Sequence, residues 1–165
     1  MKVCKSILFA LLVSIFVVPP SVVADDSSVE ANIAFYSNVW DEIINNGRLD
    51  MISEANFLPE VVIHASPEDV VGIDATRSFY ANYINGFSDI EFTINDIFGQ
   101  GDKLVKWWTF KGTHTGDFFG IAPTGRAVVL DGATLVRMED GRIAEERDFF
   151  DNHAFLQQLG LMSEE

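Results

Sequence analysis

The sequence predicts an α+β domain in which helices cover one face of a strongly curved, mainly antiparallel sheet. Apolar residues recur at helical spacing through most of the first half, and four stretches rich in β-branched and aromatic residues follow Ser88. Turn formers separate these stretches, and the pair Asp140-Gly141 is typical of a tight hairpin because both residues tolerate positive φ. Helices followed by consecutive strands indicate α+β architecture.

Residues 1–24 have the layout of a secretory signal peptide. Lys2 and Lys5 precede an apolar run over 7–18, a proline pair follows, and small or apolar residues lead to Ala24, after which we predict cleavage. The alternative is an uncleaved anchor, but the run is shorter than the roughly 20 apolar residues that a membrane-spanning helix needs. We expect a secreted or periplasmic protein with no stable membrane insertion after cleavage.

Residues 25–165 are expected to fold as one domain of 141 residues. The only cysteine, Cys4, lies in the predicted signal, so this domain has no thiol for a disulfide or a thiolate metal site. Without Lys2 and Lys5 the 11 basic residues become 9 against 25 acidic ones, a net charge near −16. Such a charge repels phosphate backbones, so nucleic acid is not an expected partner.

The predicted elements follow from periodicity and turn formers. Helical spacing predicts helices over 29–40 and 72–87, with a short second helix between 49 and 57, and β-branched VVIHA predicts a strand over 61–65. The long strands and the closing helix are predicted at 90–98, 104–114, 126–138, 142–150 and, for the helix, 152–161.

Three segments carry a family resemblance: GTHTGDFFGIAPTGR over 112–126, VRMEDGRIAEERD over 136–148 and FLQQLGL over 155–161. They resemble the SnoaL-like polyketide cyclase, or ester cyclase, family. Upstream, FYSNVWDEIINNGRLDMI resembles the family's first helix and turn, VVIHA its first strand, and GFSDIEF the entry to its long strands. The resemblance covers nearly the whole predicted mature chain.

This resemblance implies a cone-shaped, nuclear-transport-factor-2-like fold, with about three helices packed on the curved sheet around a small-molecule pocket. It often implies a homodimer. Two positions depart from the family: Arg147 stands where many members place tryptophan, and Lys106 where members often carry arginine. Lysine keeps the charge but lacks the planar bidentate fork. The family's ligand preference therefore does not transfer to this chain.

Asp148 and Asp151 are the candidate general acid/base residues. They lie at the end of the final strand, where Phe149 and Phe150 are expected to raise the pKa of a carboxyl by desolvation. In polyketide cyclases of the family an aspartate near this point has that role, and the resemblance favours Asp148. Alternatively, Asp151 caps the last helix and Asp148 is a solvated strand-end residue.

His114 has the same strand parity as Lys106 and Trp108, which predicts that these side chains point to one face. The three could polarise an enolate or stack on a ring, but His114 could equally hold the GTHTG turn. His64 stands alone in an apolar strand, where a histidine is usually packed in the core. Its role in a pocket rests on the resemblance.

Tyr36 and Trp40, at i and i+4 on the first helix, form an aromatic edge that either lines the pocket or packs in the core. Arg147 is a further candidate for the pocket wall. The three histidines lack the close spacing of a metal-ligand pair, and PTGR does not match a phosphate-binding loop. We therefore predict neither a metal nor another cofactor.

Two functions are compatible with this sequence. The first is an enzyme that deprotonates a carbon next to a carbonyl and closes or isomerises a ring, with Asp148 as base and His114 and Lys106 stabilising the oxyanion. The second is a non-catalytic exported binder of a small hydrophobic metabolite. Export favours binding, because polyketide synthesis is normally cytoplasmic. Fold alone does not decide, because one fold hosts many activities.

Overall fold

The computed structural model describes residues 26–162. The predicted signal peptide and its cleavage site after Ala24 lie outside the described residues. Three α-helices are present in the described part: α1 at Asp26–Ile44, α2 at Ile73–Gly86 and α3 at Asn152–Gln158. Among these residues, no helix is both long enough and apolar enough to cross a bilayer.

The second helix predicted between 49 and 57 is wrong. Only Leu49–Met51 forms a turn of 3-10 helix, and Phe57 already begins the first strand. The backbone carbonyl of Asn56 accepts a hydrogen bond from Ile143 N–H, so the end of this segment is held by the sheet. Apolar spacing alone could not reveal this pairing with a residue far along the chain.

Within residues 26–162, six strands form one sheet, in the order β2-β1-β6-β5-β4-β3. β1 runs parallel to β6 and all other neighbours are antiparallel, which confirms the predicted mainly antiparallel sheet. The short second strand was not predicted. The strands are β1 Phe57–His64, β2 Val70–Val71, β3 Phe87–Gln100, β4 Lys103–His114, β5 Ala127–Glu139 and β6 Arg142–Phe150.

The helices pack on one face of the sheet and leave the other open. Alternate residues of β4 and β5 are buried in one apolar core together with Tyr36 and Trp40 of α1 and Tyr80 of α2. On the opposite face, Trp107 and Phe149 are each about half exposed, at 55% and 51%. Trp107 and Trp108 thus point to opposite faces, as the two-residue period of a strand requires.

β3 bends around the core. Its pairing with β4 shifts register between Ser88 and Glu91 and again between Ile94 and Asp96, and Asp89 has a φ of 52°. Irregularities of this kind bend a strand and increase its twist. The bent sheet and the helices above it enclose the space in which the candidate site lies.

Candidate functional site

An inner cavity of about 60 Å³ lies between the covered face of the sheet and helices α1 and α2. Most of its wall is aromatic or aliphatic, and two charged side chains reach it, Lys106 and Asp148. The lining residues are Trp40, Ile44, Tyr80, Tyr83, Phe92, Lys106, Trp108, Phe110, Leu130, Asp148 and Phe150.

The strand register brings the charged pair to one level of the sheet. Lys106 of β4 pairs with Thr134 of β5, and Thr134 pairs with Asp148 of β6. Residues directly opposite one another on neighbouring strands point to the same face. A cation, a hydroxyl and a carboxylate therefore form one row across three strands.

A chain of hydrogen bonds orients Asp148. Trp108 Nε1 donates to Thr134 Oγ1 at 2.9 Å, and the Thr134 hydroxyl donates to Asp148 Oδ1. Because the indole can only donate, it fixes the direction of the chain and commits the single hydroxyl proton to Asp148. Within the described residues, the second oxygen of Asp148 has no hydrogen-bond partner, so it is free to take a proton from a ligand.

Lys106 is buried, with 4% of its surface exposed, yet its ammonium makes no hydrogen bond or ion pair with another described residue. Its Nζ lies over the rings of Tyr36, Trp40 and Phe92, at 5.0, 4.8 and 5.2 Å from their centroids. Burial lowers the pKa of Lys106, while the charges of Glu146 and Asp148 act in the opposite direction. Aromatic faces stabilise an ammonium held in this way.

Glu146 is a buried carboxylate that the sequence analysis missed. Only 1% of its surface is exposed, and its Oε1 accepts hydrogen bonds from the Tyr36 hydroxyl and, at 3.0 Å, from Trp40 Nε1. Its Oε2 is buried and has no hydrogen-bond partner among the residues that the structure describes. Burial raises the pKa of Glu146 to about 7. Strand alternation contained a signal for it, because residues 146 and 148 must share a face.

A second, outer cleft of about 720 Å³ opens beside the inner cavity. Three residues, Tyr83, Asp148 and Phe150, line both spaces, so Asp148 lies where they meet. Exposed Arg147 also lines the cleft and makes no ion pair with another described residue. The remaining wall comes from Ile63, His64, Ala65, Ser66, Pro67, Phe79, Phe118, Phe119, Phe149, Asn152, Phe155 and Leu156.

Asp151 lies outside both spaces. Its Oδ1 accepts a hydrogen bond of 2.9 Å from Ala154 N–H, which is the geometry of an N-cap for α3. The side chain is exposed. Of the two candidate aspartates, only Asp148 lines a cavity.

His114 is fully buried on the same face as Lys106 and Trp108, but it lines neither the inner cavity nor the outer cleft. Its Nδ1 accepts from Thr124 N–H at 3.3 Å and lies 3.1 Å from Thr124 Oγ1. The imidazole thus contacts the loop between β4 and β5. Its ring also packs against Phe87 and Phe118.

His64 lies at the edge of the outer cleft between two carboxylates. Its Nδ1 is 3.0 Å from Asp69 Oδ2 and its Nε2 is 2.5 Å from Glu145 Oε1. The hydrogen bond from His64, followed by that from Arg137, lowers the pKa of Glu145. In the part of the chain that the structure describes, no group of histidine and carboxylate side chains could hold a metal ion.

Residues 33–159 match the family described as SnoaL-like polyketide cyclase. The chain belongs to this family. The match begins within α1 and includes α2, α3 and all six strands. No curated protein sequence matches the chain significantly.

Solved structures of several other proteins share this fold. A protein from Jannaschia sp. CCS1 assigned as a SnoaL-like polyketide cyclase has a TM-score of 0.74 and 24% identity, covering 88% of this chain and 99% of that chain. IdmH from Streptomyces antibioticus, assigned as a polyketide cyclase, has a TM-score of 0.64 and 28% identity, covering 78% and 98%. TsrD from Streptomyces laurentii has a TM-score of 0.69 and 25% identity, covering 84% and 98%.

Proposed function

We propose that the protein catalyses proton transfer at a carbon next to a carbonyl group in a small organic compound. Asp148 is the general base, and Lys106 stabilises the negative charge that develops on the carbonyl oxygen. The observation that supports this most strongly is that a carboxylate and a cation with no ion-pair partner in the described part of the chain face one aromatic-lined cavity. Opposite charges on the two sides of a carbonyl compound favour enolate formation.

The proposed steps conserve every proton and electron pair. Asp148 takes the α proton, and the electrons of that C–H bond move into the new C=C bond while the C=O pair moves onto oxygen. The Lys106 ammonium hydrogen-bonds this oxyanion. If the compound is β,γ-unsaturated, the anion is a dienolate that takes the proton back from Asp148 at its γ carbon, which is isomerisation. If the compound carries a second carbonyl group, the enolate attacks that carbon, which closes a ring, and the proton on Asp148 passes to the new alkoxide.

His114 has no part in this proposal because it lines neither space, and Lys106 takes the oxyanion role alone. Asp151 is likewise left out because its carboxylate caps α3. The aromatic rings of the wall would stack on a flat, unsaturated ligand.

The test is the exchange of α hydrogens for deuterium in 1-tetralone dissolved in D₂O, followed by proton NMR. We expect the protein to accelerate exchange and Asp148→Asn to abolish the acceleration. Asp151→Asn is the matched comparison, since asparagine caps a helix as well as aspartate does. If Asp148→Asn exchanges like the wild type, Asp148 is not the base. If Asp151→Asn alone fails, Asp151 is the base.

A non-catalytic binder is the second candidate, and the largely aromatic and aliphatic wall of the inner cavity favours it. The same samples separate the two functions. Saturable binding of 1-tetralone, seen by NMR line broadening, together with exchange no faster than in buffer would support the binder and contradict the catalyst.

Export also belongs to this proposal. The predicted signal peptide supports a secreted or periplasmic location, where the ligand would be encountered outside the cytoplasm. N-terminal sequencing of the protein recovered from outside the cytoplasm tests it. An N-terminus at Asp25 agrees with cleavage after Ala24, and a chain that keeps residue 1 contradicts it.

We further propose a homodimer formed through the open face of the sheet. Trp107, Ala133 and Phe149 are aligned across three strands on this face, and Leu135 nearby is 49% exposed. Contiguous exposed apolar groups of this kind mark association surfaces. Light scattering should give a dimer mass for the wild type and a monomer mass for Trp107→Glu. A wild-type monomer at high micromolar concentration contradicts the proposal.

A further inference from the structure

We propose that Glu146 is a positioning residue that holds Tyr36 and Trp40 against Lys106 and supplies the opposite charge that keeps Lys106 an ammonium. Glu146 does not line the inner cavity and would touch no ligand there. It acts through Trp40 and Lys106, which line the cavity, and through Tyr36, which is buried behind them and does not line it. This inference rests on the proposed role of Lys106 as the cation of the site.

Glu146 is linked to Lys106 by contacts through two aromatic side chains. Its Oε1 accepts from both Tyr36 and Trp40, and these two side chains supply two of the three rings over which Lys106 Nζ lies. The rings are therefore fixed at their polar ends by the same carboxylate. Their orientation sets where the ammonium points.

Electrostatics supports the same conclusion. The Lys106 side chain is buried and its Nζ has no hydrogen-bond acceptor among the described residues, so desolvation alone favours its neutral form. Glu146 is the first of the charges that oppose this effect, ahead of Asp148. A neutral amine would donate a weaker hydrogen bond to an oxyanion than an ammonium does.

The other ionisable groups around Glu146 do not take this role. Tyr36 of α1 and Tyr80 of α2 both have their pKa values raised well above normal by burial, so they remain neutral. Asp148 of β6 is a second carboxylate, but the proposed reaction changes its protonation state. Among the described residues, Glu146 is thus the nearby carboxylate whose charge the proposed reaction does not change.

The experiment is an NMR titration of the lysine Cε resonances in the full mature domain, without any ligand. Only three lysines occur after the predicted signal, Lys103, Lys106 and Lys111, so the signals are readily assigned. We expect Glu146→Gln to lower the titration midpoint of Lys106 by about 1 unit, as loss of an opposite charge in close proximity does.

The matched control is Glu145→Gln, which removes the same charge from the adjacent position of β6 but on the open face of the sheet. It should leave the Lys106 midpoint unchanged. Tyr36→Phe removes one hydrogen bond while keeping the charge, so we expect a smaller shift than in Glu146→Gln. An unchanged midpoint in Glu146→Gln, or an equal shift in Glu145→Gln, would overturn the proposal.

The wild type alone provides a second test if Glu146→Gln does not fold. The Trp40 Nε1–H resonance should titrate with a midpoint near that of Glu146, and the Lys106 Cε resonance should show an inflection at the same pH. A Lys106 curve without this inflection contradicts the coupling. Because no substrate is used, these results are independent of whether Asp148 catalyses exchange.

Discussion

Replacing Thr134 by valine should uncouple Asp148 from the sheet while keeping the shape of the side chain. Thr134 is 1% exposed, so the substitution leaves Trp108 Nε1 as a buried donor without its acceptor. An unsatisfied buried donor costs about 1–3 kcal/mol. Asp148 also loses its donor, but it is only partly buried and water from the outer cleft can replace that hydrogen bond.

The expected loss in free energy of unfolding for Thr134→Val is therefore about 1–3 kcal/mol, measured by urea denaturation. With its orientation no longer fixed, Asp148 should also catalyse tetralone exchange about tenfold more slowly. Thr134→Ser retains the hydroxyl and should recover most of the exchange rate. If Thr134→Val and Thr134→Ser have the same rate, the hydrogen-bond chain does not orient the base, and our account of Asp148 is wrong.

Three further predictions concern the same region. Gly132→Ala would place a Cβ 2.3 Å from Trp108 Cζ2, so the indole must move. We expect the free energy of unfolding, measured by urea denaturation, to fall by about 1–3 kcal/mol, and by less in a Trp108→Leu background. Equal losses in both backgrounds would contradict this. Because burial raises the pKa of Glu146 from 4.5 to about 7, the folded state keeps a proton on this carboxyl between these pH values and the unfolded state does not. Protonated Glu146 therefore stabilises the fold by on the order of 3 kcal/mol relative to the ionised form. This stabilisation should be present below pH about 4.5 and be lost as the pH rises to about 7 and above. The stability difference between wild type and Glu146→Gln, followed over this range, should show that slope, and a flat difference would refute it. Arg147→Gln should weaken the binding of 1-naphthoate about twofold to fivefold in calorimetry, as expected for loss of an exposed ion pair with the ligand's carboxylate. Binding of uncharged 1-tetralone should not change. Equal effects on both compounds would exclude a charge contact.

The local elements of this fold could be predicted because local chemistry determines them. The hairpin between β5 and β6 is an example: Asp140 and Gly141 both have positive φ, 51° and 72°, as the Asp-Gly pair implied. The two-residue strand β2 is the opposite case. Val70 and Val71 are a strand only because they pair with Ile63 and Val62 of β1, and so short a run has no periodicity to detect.

Strand parity could predict which side chains of the candidate site share a face of the sheet. Parity placed Lys106, Trp108 and His114 on one face, and all three side chains are buried on that face. Parity contains no information on distance, however. His114 is eight residues beyond Lys106, about 26 Å along an extended strand, whereas the inner cavity occupies only part of that length.

Strand parity puts Glu146 on the same face as Asp148, but the sequence does not show that its side chain is buried or what it contacts. Glutamate is almost never fully buried unless it is paired, and the partners of Glu145 and Glu146 cannot be read from the sequence. What distinguishes them is the pair of donors on α1, which lie 110 and 106 residues earlier in the chain. Only the packing of α1 on the sheet brings these donors to one carboxylate.

The position of Asp148 between a small inner space and a large outer one has a consequence for which part of a compound can react. At about 60 Å³, the inner cavity accommodates roughly four water-sized groups, so most of a larger molecule has to stay in the outer cleft. Because Tyr83 and Phe150 line both spaces, a carbonyl group would have to enter the inner cavity beside them to reach Lys106. Regioselectivity would then depend on which carbonyl of the compound can enter, before any bond is broken.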